Sequence, residues 1–355
     1  MIGSRKEALM PGEKLPDYAR LSELTPVPLI QDWSALTPDE FVRTYADQPV
    51  IFQRLATRWP AFRKWTPEFL VQTIGTGTKV EVRQPIALGG AQQQWSARVP
   101  MGVFAAEVHS VPGLYMAEWY PHSHCPELLA DIGPVPDFLD QDWLAALPDP
   151  SFSTRGRMPI YWGAAGSATD CHFDNSNTVT WNACFKGTKR WLLFSGREFP
   201  EPTWQRRHAA MRLVRSGLAT PIDHTDKSVG FVTVDGIERY LAGELRELPE
   251  GIKFYWADVP AGDVIYVPWR FFHQVYNVTE SIALSRYYVA RENYQAYLDF
   301  LRGIGRAAPV TAQLLLGSER MRRALKSLPA RRVCSGRLGR TLTSGALRLS
   351  GLKST

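Results

Sequence analysis

Long apolar runs and paired cysteines are the two features that this 355-residue sequence lacks. No stretch reaches eighteen consecutive apolar residues, so no segment is predicted to span a membrane. The start, MIGSRKEALMPGEKLPDYARL, holds no apolar core of a secretory signal, and we expect none. The four cysteines form no C-x-x-C pair and are too few for a disulfide framework: Cys125, Cys171, Cys184 and Cys334. We therefore expect a soluble, cytoplasmic protein with reduced thiols.

Outside its C-terminal end the sequence has no excess of basic residues, although the formal net charge of the whole chain is +6. From Ser318 onward, ten Lys or Arg stand against one Glu, which leaves 31 basic and 34 acidic residues in the rest of the chain. That terminal segment has no aromatic residue on which a base could stack, so it indicates non-specific electrostatics at most. We interpret residues 329–355 as a solvated basic tail, with an anionic partner as the alternative. We do not expect nucleic acid to be a partner.

Short strands separated by turn residues dominate the middle of the chain. Between Met158 and Val289, runs such as PIYWGA, NTVTWNACFK, TKRWLLFS, GDVIYVP and SIALSRYYVA are β-branched or aromatic and are bounded by Gly, Pro, Asn or Asp. This pattern predicts a mainly β fold, a double-sheet jelly roll, with flanking helices.

Four regions are predicted around this pattern. Residues 1–110 mix helices and strands and are expected to form an α/β N-terminal region packed on the core; TPDEFVRTYA there carries a capping box. Residues 111–290 form the predicted jelly roll, interrupted by an insertion at 197–251 that holds the helix-like GIERYLAGELREL. Residues 291–328 are predicted to be amphipathic C-terminal helices, a candidate homodimer surface, and the basic tail follows.

The stretch TDCHFDNSN carries a histidine and an aspartate two residues apart in a predicted strand. Positions i and i+2 of a strand face the same side, with Cα atoms roughly 7 Å apart, so His172 and Asp174 can converge on one cation. Taken alone, the triplet indicates little, because a single histidine is more often a hydrogen-bonded structural residue.

A second histidine, His273, lies in PAGDVIYVPWRFFHQVYNV, where an apolar strand ends at Pro268. If this region lies opposite the first strand, two imidazoles and one carboxylate form the facial arrangement that leaves adjacent positions open on a non-haem Fe(II). A structural zinc site would more often close its coordination with a fourth ligand.

Lys189 follows the turn in FKGTKRW and shares a predicted strand face with Trp191 and Leu193. Burial of an unpaired ammonium is strongly unfavourable, so the pattern predicts a carboxylate beside it. Asp174 is one candidate partner. A dicarboxylate ligand lying between a metal and the lysine is the other.

The segment from Met158 to Val289 resembles the JmjC and cupin-like Fe(II)/2-oxoglutarate oxygenases, most closely their small hydroxylase branch. The shared pattern is H-x-D, an asparagine ten residues after the histidine, and G-x-K-R-W with the lysine at plus seventeen. The matching residues are His172, Asp174, Asn182, Gly187, Lys189, Arg190 and Trp191. Three further positions match by their offset from these motifs or by an upstream LY strand: Thr169, Ser285 and Tyr115.

The resemblance implies a double-stranded β-helix that hydroxylates an unactivated carbon of a peptide or protein side chain. O2 is consumed, and succinate and CO2 are formed from 2-oxoglutarate. The implied Fe(II) ligands are His172, Asp174 and His273. The implied ligands of the distal carboxylate of 2-oxoglutarate are Lys189, Tyr115, Thr169 and Ser285, with Asn182 beside the metal-bound end. Tyr287 departs from the asparagine of close relatives, so their protein substrates are not assumed.

Other functions stay open from the sequence. An oxygenase of this class could instead act on a free amino acid or a natural-product intermediate. A non-oxygenase metal-binding cupin, or an interaction module, is the alternative from another class, but neither explains Lys189 together with Thr169 and Ser285. A second metal site at YPHSHCPE, with His122, His124 and Cys125, is less favoured than a polar loop.

Overall fold

Two facing β-sheets form the centre of the protein in a computed structural model, which describes residues 18–88, 91–111, 113–146, 158–197, 215–218, 220–221 and 232–303. The strands are β1 (Thr25–Pro26), β2 (Leu29–Ile30), β3 (Val50–Phe52), β4 (Lys79–Leu88), β5 (Ala91–Pro100), β6 (Tyr115–Trp119), β7 (Ile160–Gly163), β8 (Ala168–His172), β9 (Val179–Lys186), β10 (Thr188–Ser195), β11 (Thr220–Pro221), β12 (Val232–Thr233), β13 (Phe254–Pro260), β14 (Val264–Val267), β15 (Phe271–Asn277) and β16 (Ser281–Tyr288). The α-helices are α1 (Pro38–Thr44), α2 (Pro60–Lys64), α3 (Pro67–Ile74), α4 (Met101–Glu107), α5 (Gly236–Leu241) and α6 (Tyr294–Gly303).

The order of strands in the sheets is that of a jelly roll. The larger sheet has nine strands in the order β2-β3-β14-β9-β16-β7-β6-β4-β5, and the smaller has five in the order β1-β13-β10-β15-β8. From β13 to β16, successive strands alternate between the two sheets. The predicted double-stranded β-helix is therefore confirmed.

Strict alternation along β10 sorts its side chains between the inside and the outside of the barrel. Lys189, Trp191 and Leu193 point inward, as predicted, and all three are buried. The intervening Leu192 and Phe194 pack on the outer face of the small sheet beneath α5. One half of the barrel interior is filled by apolar side chains of both sheets. The other half is lined by polar side chains and forms a pocket.

The N-terminal helices cover the outer face of the nine-stranded sheet with a large aromatic core. The predicted capping box is present at the start of α1, where the Thr37 side chain accepts from the Glu40 amide and Glu40 bonds back to Thr37. Thr66 caps α3, and Gly75 follows the last residue of that helix, Ile74. No helix in the described ranges has the length and apolar character that a bilayer crossing requires.

The described residues include only the start of the C-terminal region 291–328 that is predicted to be helical. There α6 lies within RENYQAYLDFLRGIG. The rest of the region, from residue 304 onward, and the basic tail lie outside the described residues.

The turn between β9 and β10 depends on a glycine. Gly187 has φ of +75°, and a Cβ there would overlap the carbonyl group of Glu280 and lie 2.7 Å from Thr279 Oγ1. Gly187→Ala is therefore expected to lose about 1 kcal/mol from the left-handed backbone and about 1–3 kcal/mol more from overpacking. Thermal and denaturant unfolding measure the loss.

Gly166 provides the matched control for this substitution. It has φ of +81°, and no atom lies within 4 Å of a Cβ built there. Gly166→Ala should show the backbone loss alone. Equal destabilisation by the two substitutions would contradict the close approach of Glu280.

Candidate functional site

A single pocket between the two sheets contains every site residue predicted from the sequence. The five-stranded sheet and the segment after β8 contribute Thr169, His172, Asp174, Lys189 and His273. The nine-stranded sheet contributes Tyr115, Asn182 and Ser285. Residues up to 170 positions apart in the sequence, Tyr115 and Ser285, thus share one cavity.

Two histidines and one aspartate lie close enough to share a cation. One ligand atom from each of His172, Asp174 and His273 lies within 4.8 Å of the others. The two imidazole rings are 4.3 Å apart between centroids, and His273 Nε2 is 3.8 Å from Asp174 Oδ1. No fourth His, Cys, Asp or Glu of the described residues joins this cluster. The donor set therefore suits a metal with open coordination positions.

Backbone carbonyl groups orient both imidazoles. His172 Nδ1 is 2.7 Å from the Asp170 carbonyl oxygen, and His273 Nδ1 is 3.0 Å from that of Phe271. A carbonyl oxygen only accepts, so each Nδ1 carries the proton. Each Nε2 consequently presents a lone pair to the centre of the cluster, as a metal ligand requires.

Burial opposes charge on all three side chains. It lowers the pKa of His172 and that of His273 to about 4, and it raises the pKa of Asp174 to about 7. Both imidazoles are therefore neutral at neutral pH. A divalent cation would favour the ionised carboxylate and reverse the shift of Asp174.

A β-bulge in β8 brings Thr169 and His172 to the same side. His172 pairs with His273, but Thr169 pairs with Val275, so three steps along β8 match two along β15. The extra residue leaves the side chains of Ala168, Cys171 and Phe173 packed outside on the small sheet. Simple alternation would have placed Thr169 opposite to His172.

The structure corrects two details of the predicted metal cluster. β8 ends at His172, so Asp174 lies just beyond the strand and not within it, although Phe173 still faces outward onto Phe272. β15 is also the direct neighbour of β8 in one sheet, not a strand opposite to it.

A short left-handed segment that follows Asp174 is hydrogen-bonded to α6 and to the residue just before it. Ser176 and Asn177 have φ of 64° and 54°. The Asn177 amide donates to the Ala296 carbonyl at 3.0 Å, and Asn293 donates to the Asn177 carbonyl at 2.8 Å. The amide of Ala290 donates to Asn293 Oδ1 at 2.7 Å. α6 thus restrains the segment that carries the aspartate.

Lys189 is 2% exposed and is surrounded by neutral groups. Its Nζ donates to Asn277 Oδ1 at 2.6 Å, lies 3.4 Å from Ser281 Oγ and is 5.5 Å from the centre of the Tyr115 ring. No carboxylate of the described residues forms an ion pair with it, so the suggested pairing with Asp174 is wrong. Burial lowers the pKa of Lys189 to about 8.

Two further pairs connect the predicted ligand residues. The Tyr115 hydroxyl is hydrogen-bonded to Thr169, and burial raises its pKa, so the phenol stays neutral. Asn182 lies directly across from Ser285 on the neighbouring strand, with Nδ2 and Oγ 2.8 Å apart. Asn182 Oδ1 and Trp191 Nε1 are buried in the pocket wall without a hydrogen-bond partner. Such groups fit a pocket that is completed by a polar ligand.

Sequence reasoning missed the charged residues in the outer wall of this pocket. It contains an ion pair, Arg83 with Glu118 at 2.6 Å, and a hydroxyl pair, Tyr161 with Tyr287 at 2.6 Å. Tyr287 replaces the asparagine of close relatives, and this departure predicts a different pocket wall near the metal. No local signal marks Arg83 and Glu118, because they meet only through pairing of β4 with β6.

Among the described residues, no cluster of three metal-binding side chains includes the HSHC segment. His122 and His124 are exposed and pack against Tyr120 and Trp119, respectively. Cys125 is buried and donates to the Thr73 carbonyl.

The profile of the cupin-like domain family matches residues 38–294, and the chain belongs to that family. Lysine-specific demethylase JMJ21 of Arabidopsis thaliana is 25% identical over 261 residues, which cover 72% of this chain and 25% of the relative. Arginine-specific demethylase JMJ22 of the same plant is 25% identical over 292 residues, 82% of this chain and 51% of the relative. The 2-oxoglutarate and iron-dependent oxygenase JMJD4 of Homo sapiens is 24% identical over 304 residues, which cover 78% of this chain and 64% of the relative. The chain thus spans from 25% to 64% of these relatives' lengths.

Asn293→Ala tests the restraint that α6 places on the aspartate. The substitution removes both buried bonds of Asn293 and frees the segment after Asp174. Affinity for a divalent metal should fall about tenfold, as for other groups that orient ligands. Calorimetric titration with Zn(II) measures this.

Gln295→Ala is the control two residues further on, inside α6, where Gln295 bonds to Asp299. Its metal affinity should match that of the wild type. Unchanged affinity in a folded Asn293→Ala protein would contradict the restraint.

Proposed function

We propose that this protein is an Fe(II)- and 2-oxoglutarate-dependent oxygenase that hydroxylates a carbon of a peptide or protein side chain. The observation that carries the proposal is that one pocket contains both a candidate metal-binding cluster and a buried positive charge. The pocket holds an open cluster of two imidazoles and one carboxylate, and it also holds a buried ammonium with which no carboxylate of the described residues pairs.

The residues of the pocket suit both Fe(II) and 2-oxoglutarate. His172 and His273 would bind Fe(II) through Nε2, and Asp174 through its carboxylate. Lys189 would pair with the distal carboxylate of 2-oxoglutarate, with hydroxyl groups of Tyr115, Thr169 and Ser285 beside it. Bound together, iron, 2-oxoglutarate and O2 supply the oxidation of a C–H bond to C–OH, with succinate and CO2 as the other products.

The unpaired atoms of Asn182 and Trp191 also fit a bound 2-oxoglutarate. Trp191 Nε1 can donate to a ligand oxygen. The amide of Asn182 can bond to Ser285 in either orientation. In the flipped orientation its oxygen accepts from the Ser285 hydroxyl, and its NH2 group is available to donate to a ligand oxygen. In the pocket, these side chains bind and orient the co-substrate and exclude water.

Relatives support the class of reaction. The human relative is named a 2-oxoglutarate and iron-dependent oxygenase, and the plant relatives are named demethylases of lysine or arginine. Among the activities of this class, we prefer hydroxylation of a peptide or protein side chain. A metal-binding cupin with other chemistry would not need an unpaired buried lysine.

Incubation with Fe(II), ascorbate, 2-oxoglutarate and O2 tests the proposal through succinate formation. The wild type should form succinate even without added substrate, by slow uncoupled turnover. His172→Ala should lose metal binding and turnover, because one of the three ligands is removed. Lys189→Ala should keep Fe(II) and bind 2-oxoglutarate at least about tenfold more weakly.

The two variants are distinguished by calorimetric titration of metal and of 2-oxoglutarate separately. Lack of both Fe(II) binding and succinate formation in the wild type would contradict the proposed function. Unchanged 2-oxoglutarate affinity in Lys189→Ala would remove the role of Lys189.

Affinity for 2-oxoglutarate should also depend on pH through Lys189. Its pKa of about 8 means that the ammonium is charged below pH 8 and neutral above it. Affinity should therefore be highest below about pH 8 and fall, approaching tenfold per pH unit, above it. Burial raises the pKa of the neighbouring Cys184 to about 12, so this thiol does not titrate in that range.

Lys189→Met is the control, because methionine keeps the apolar stem without the charge. Its residual affinity should not change between pH 7 and about pH 9.5. Calorimetry in buffers of different ionisation enthalpy should show proton uptake on binding to the wild type near pH 8. A flat wild-type profile would contradict the carboxylate-anchor role.

A further inference from the structure

Glu118 faces the pocket because β6 breaks its alternation. Met116 and Trp119 both pack in the core outside the large sheet, although they are three residues apart. Ala117 and Glu118, between them, face the other side, where Ala117 contacts Tyr115 and Tyr161. A regular strand would have placed Glu118 on the same side as Met116.

The backbone of β6 is irregular at this point. Met116 pairs with Trp162 and Trp119 with Ile160, so β6 has one extra residue relative to β7. Glu118 has φ of 55°, which costs about 1 kcal/mol or more for a residue other than glycine. The bulge places a carboxylate in the wall of the pocket.

Two carboxylates share one guanidinium beside the pocket, and only one of the two lines it. Glu118 is 2.6 Å from Arg83 and Glu81 is 3.7 Å from the same guanidinium, so one cation faces two carboxylates. Glu81 does not line the pocket, whereas Glu118 does. The side chain of Glu118 is 40% exposed and that of Arg83 is 23%, so the carboxylate is the more accessible of the two.

The same pocket contains buried polar groups that a bound ligand would satisfy. Asn182 Oδ1 and Trp191 Nε1 are unpartnered, and these residues are 2% and 3% exposed. Lys189 brings a positive charge to the same pocket. An anionic co-substrate suits the lysine, and the region of Glu118 remains for the second reactant.

We propose that Glu118 is a specificity-determining residue that binds a cationic group of the substrate, an ammonium or a guanidinium. This inference rests on the proposed function, which assigns Lys189 to 2-oxoglutarate. Arg83 holds the carboxylate in place, and a substrate cation binds its accessible side. The aromatic rings of Tyr161 and Tyr287 provide an apolar surface beside it that also attracts cations.

Binding of small probes to the full chain, loaded with Zn(II) and 2-oxoglutarate, tests this assignment. Zinc has no redox chemistry, so no turnover intervenes. The probes are the Nα-acetyl amides of lysine and arginine, compared with the neutral analogues norleucine and citrulline. The wild type should bind at least one cationic probe about tenfold more tightly than its neutral analogue. Glu118→Gln should abolish that preference by weakening only the cationic probe.

Glu81→Gln is the matched control, since it removes a second carboxylate from Arg83 outside the pocket. It should keep the tenfold preference. Equal wild-type affinity for cationic and neutral probes, or equal losses in Glu118→Gln and Glu81→Gln, would overturn the assignment. Failure of 2-oxoglutarate to bind the metal-loaded wild type would instead overturn the proposed function. Circular dichroism confirms that each variant is folded.

Discussion

A lysine ammonium buried among neutral groups is the constraint on which the account of this pocket depends. Lys189 is 2% exposed, and its nearest partner is the amide oxygen of Asn277 at 2.6 Å. One neutral acceptor compensates only part of the cost of removing a charge from water. An anion that enters the pocket offsets the remaining free-energy cost of burying the ammonium. The fold therefore contains a site that favours an acid. The cluster of His172, Asp174 and His273 in the same pocket gives that acid a second point of attachment.

Irregular strand pairing, more than regular alternation, determines which side chains reach the pocket. One bulge puts Thr169 on the same side as His172, and another turns Glu118 inward from a face that would otherwise hold core residues. Bulges are common where a strand must re-aim a side chain. The two sheets thus supply complementary parts of the site. The five-stranded sheet and the segment after β8 supply the metal-binding groups and Lys189, and the nine-stranded sheet supplies most of the hydroxyl groups and the outer wall.

The sequence predicts the parts of this site that are set by local spacing. His172 with Asp174, the asparagine at 182 and Lys189 lie in one continuous segment, and the capping box of α1 is a four-residue pattern. The fold class followed from short strands between turn residues. β13 was not among the strand-like runs, although it pairs with β10 along seven residues. The bulges and the contact between Asn177 and Asn293 depend on pairing between distant segments, which no local pattern encodes.

A crystal structure of the protein with Fe(II) and 2-oxoglutarate, prepared without O2, tests the central claim most directly. Anomalous scattering at the iron edge locates the metal independently of the side chains. The account predicts iron bonded to Nε2 of His172 and of His273 and to the carboxylate of Asp174, with the distal carboxylate of 2-oxoglutarate on Lys189. Iron bound elsewhere, or a 2-oxoglutarate that leaves Lys189 with only its neutral partners, would contradict it.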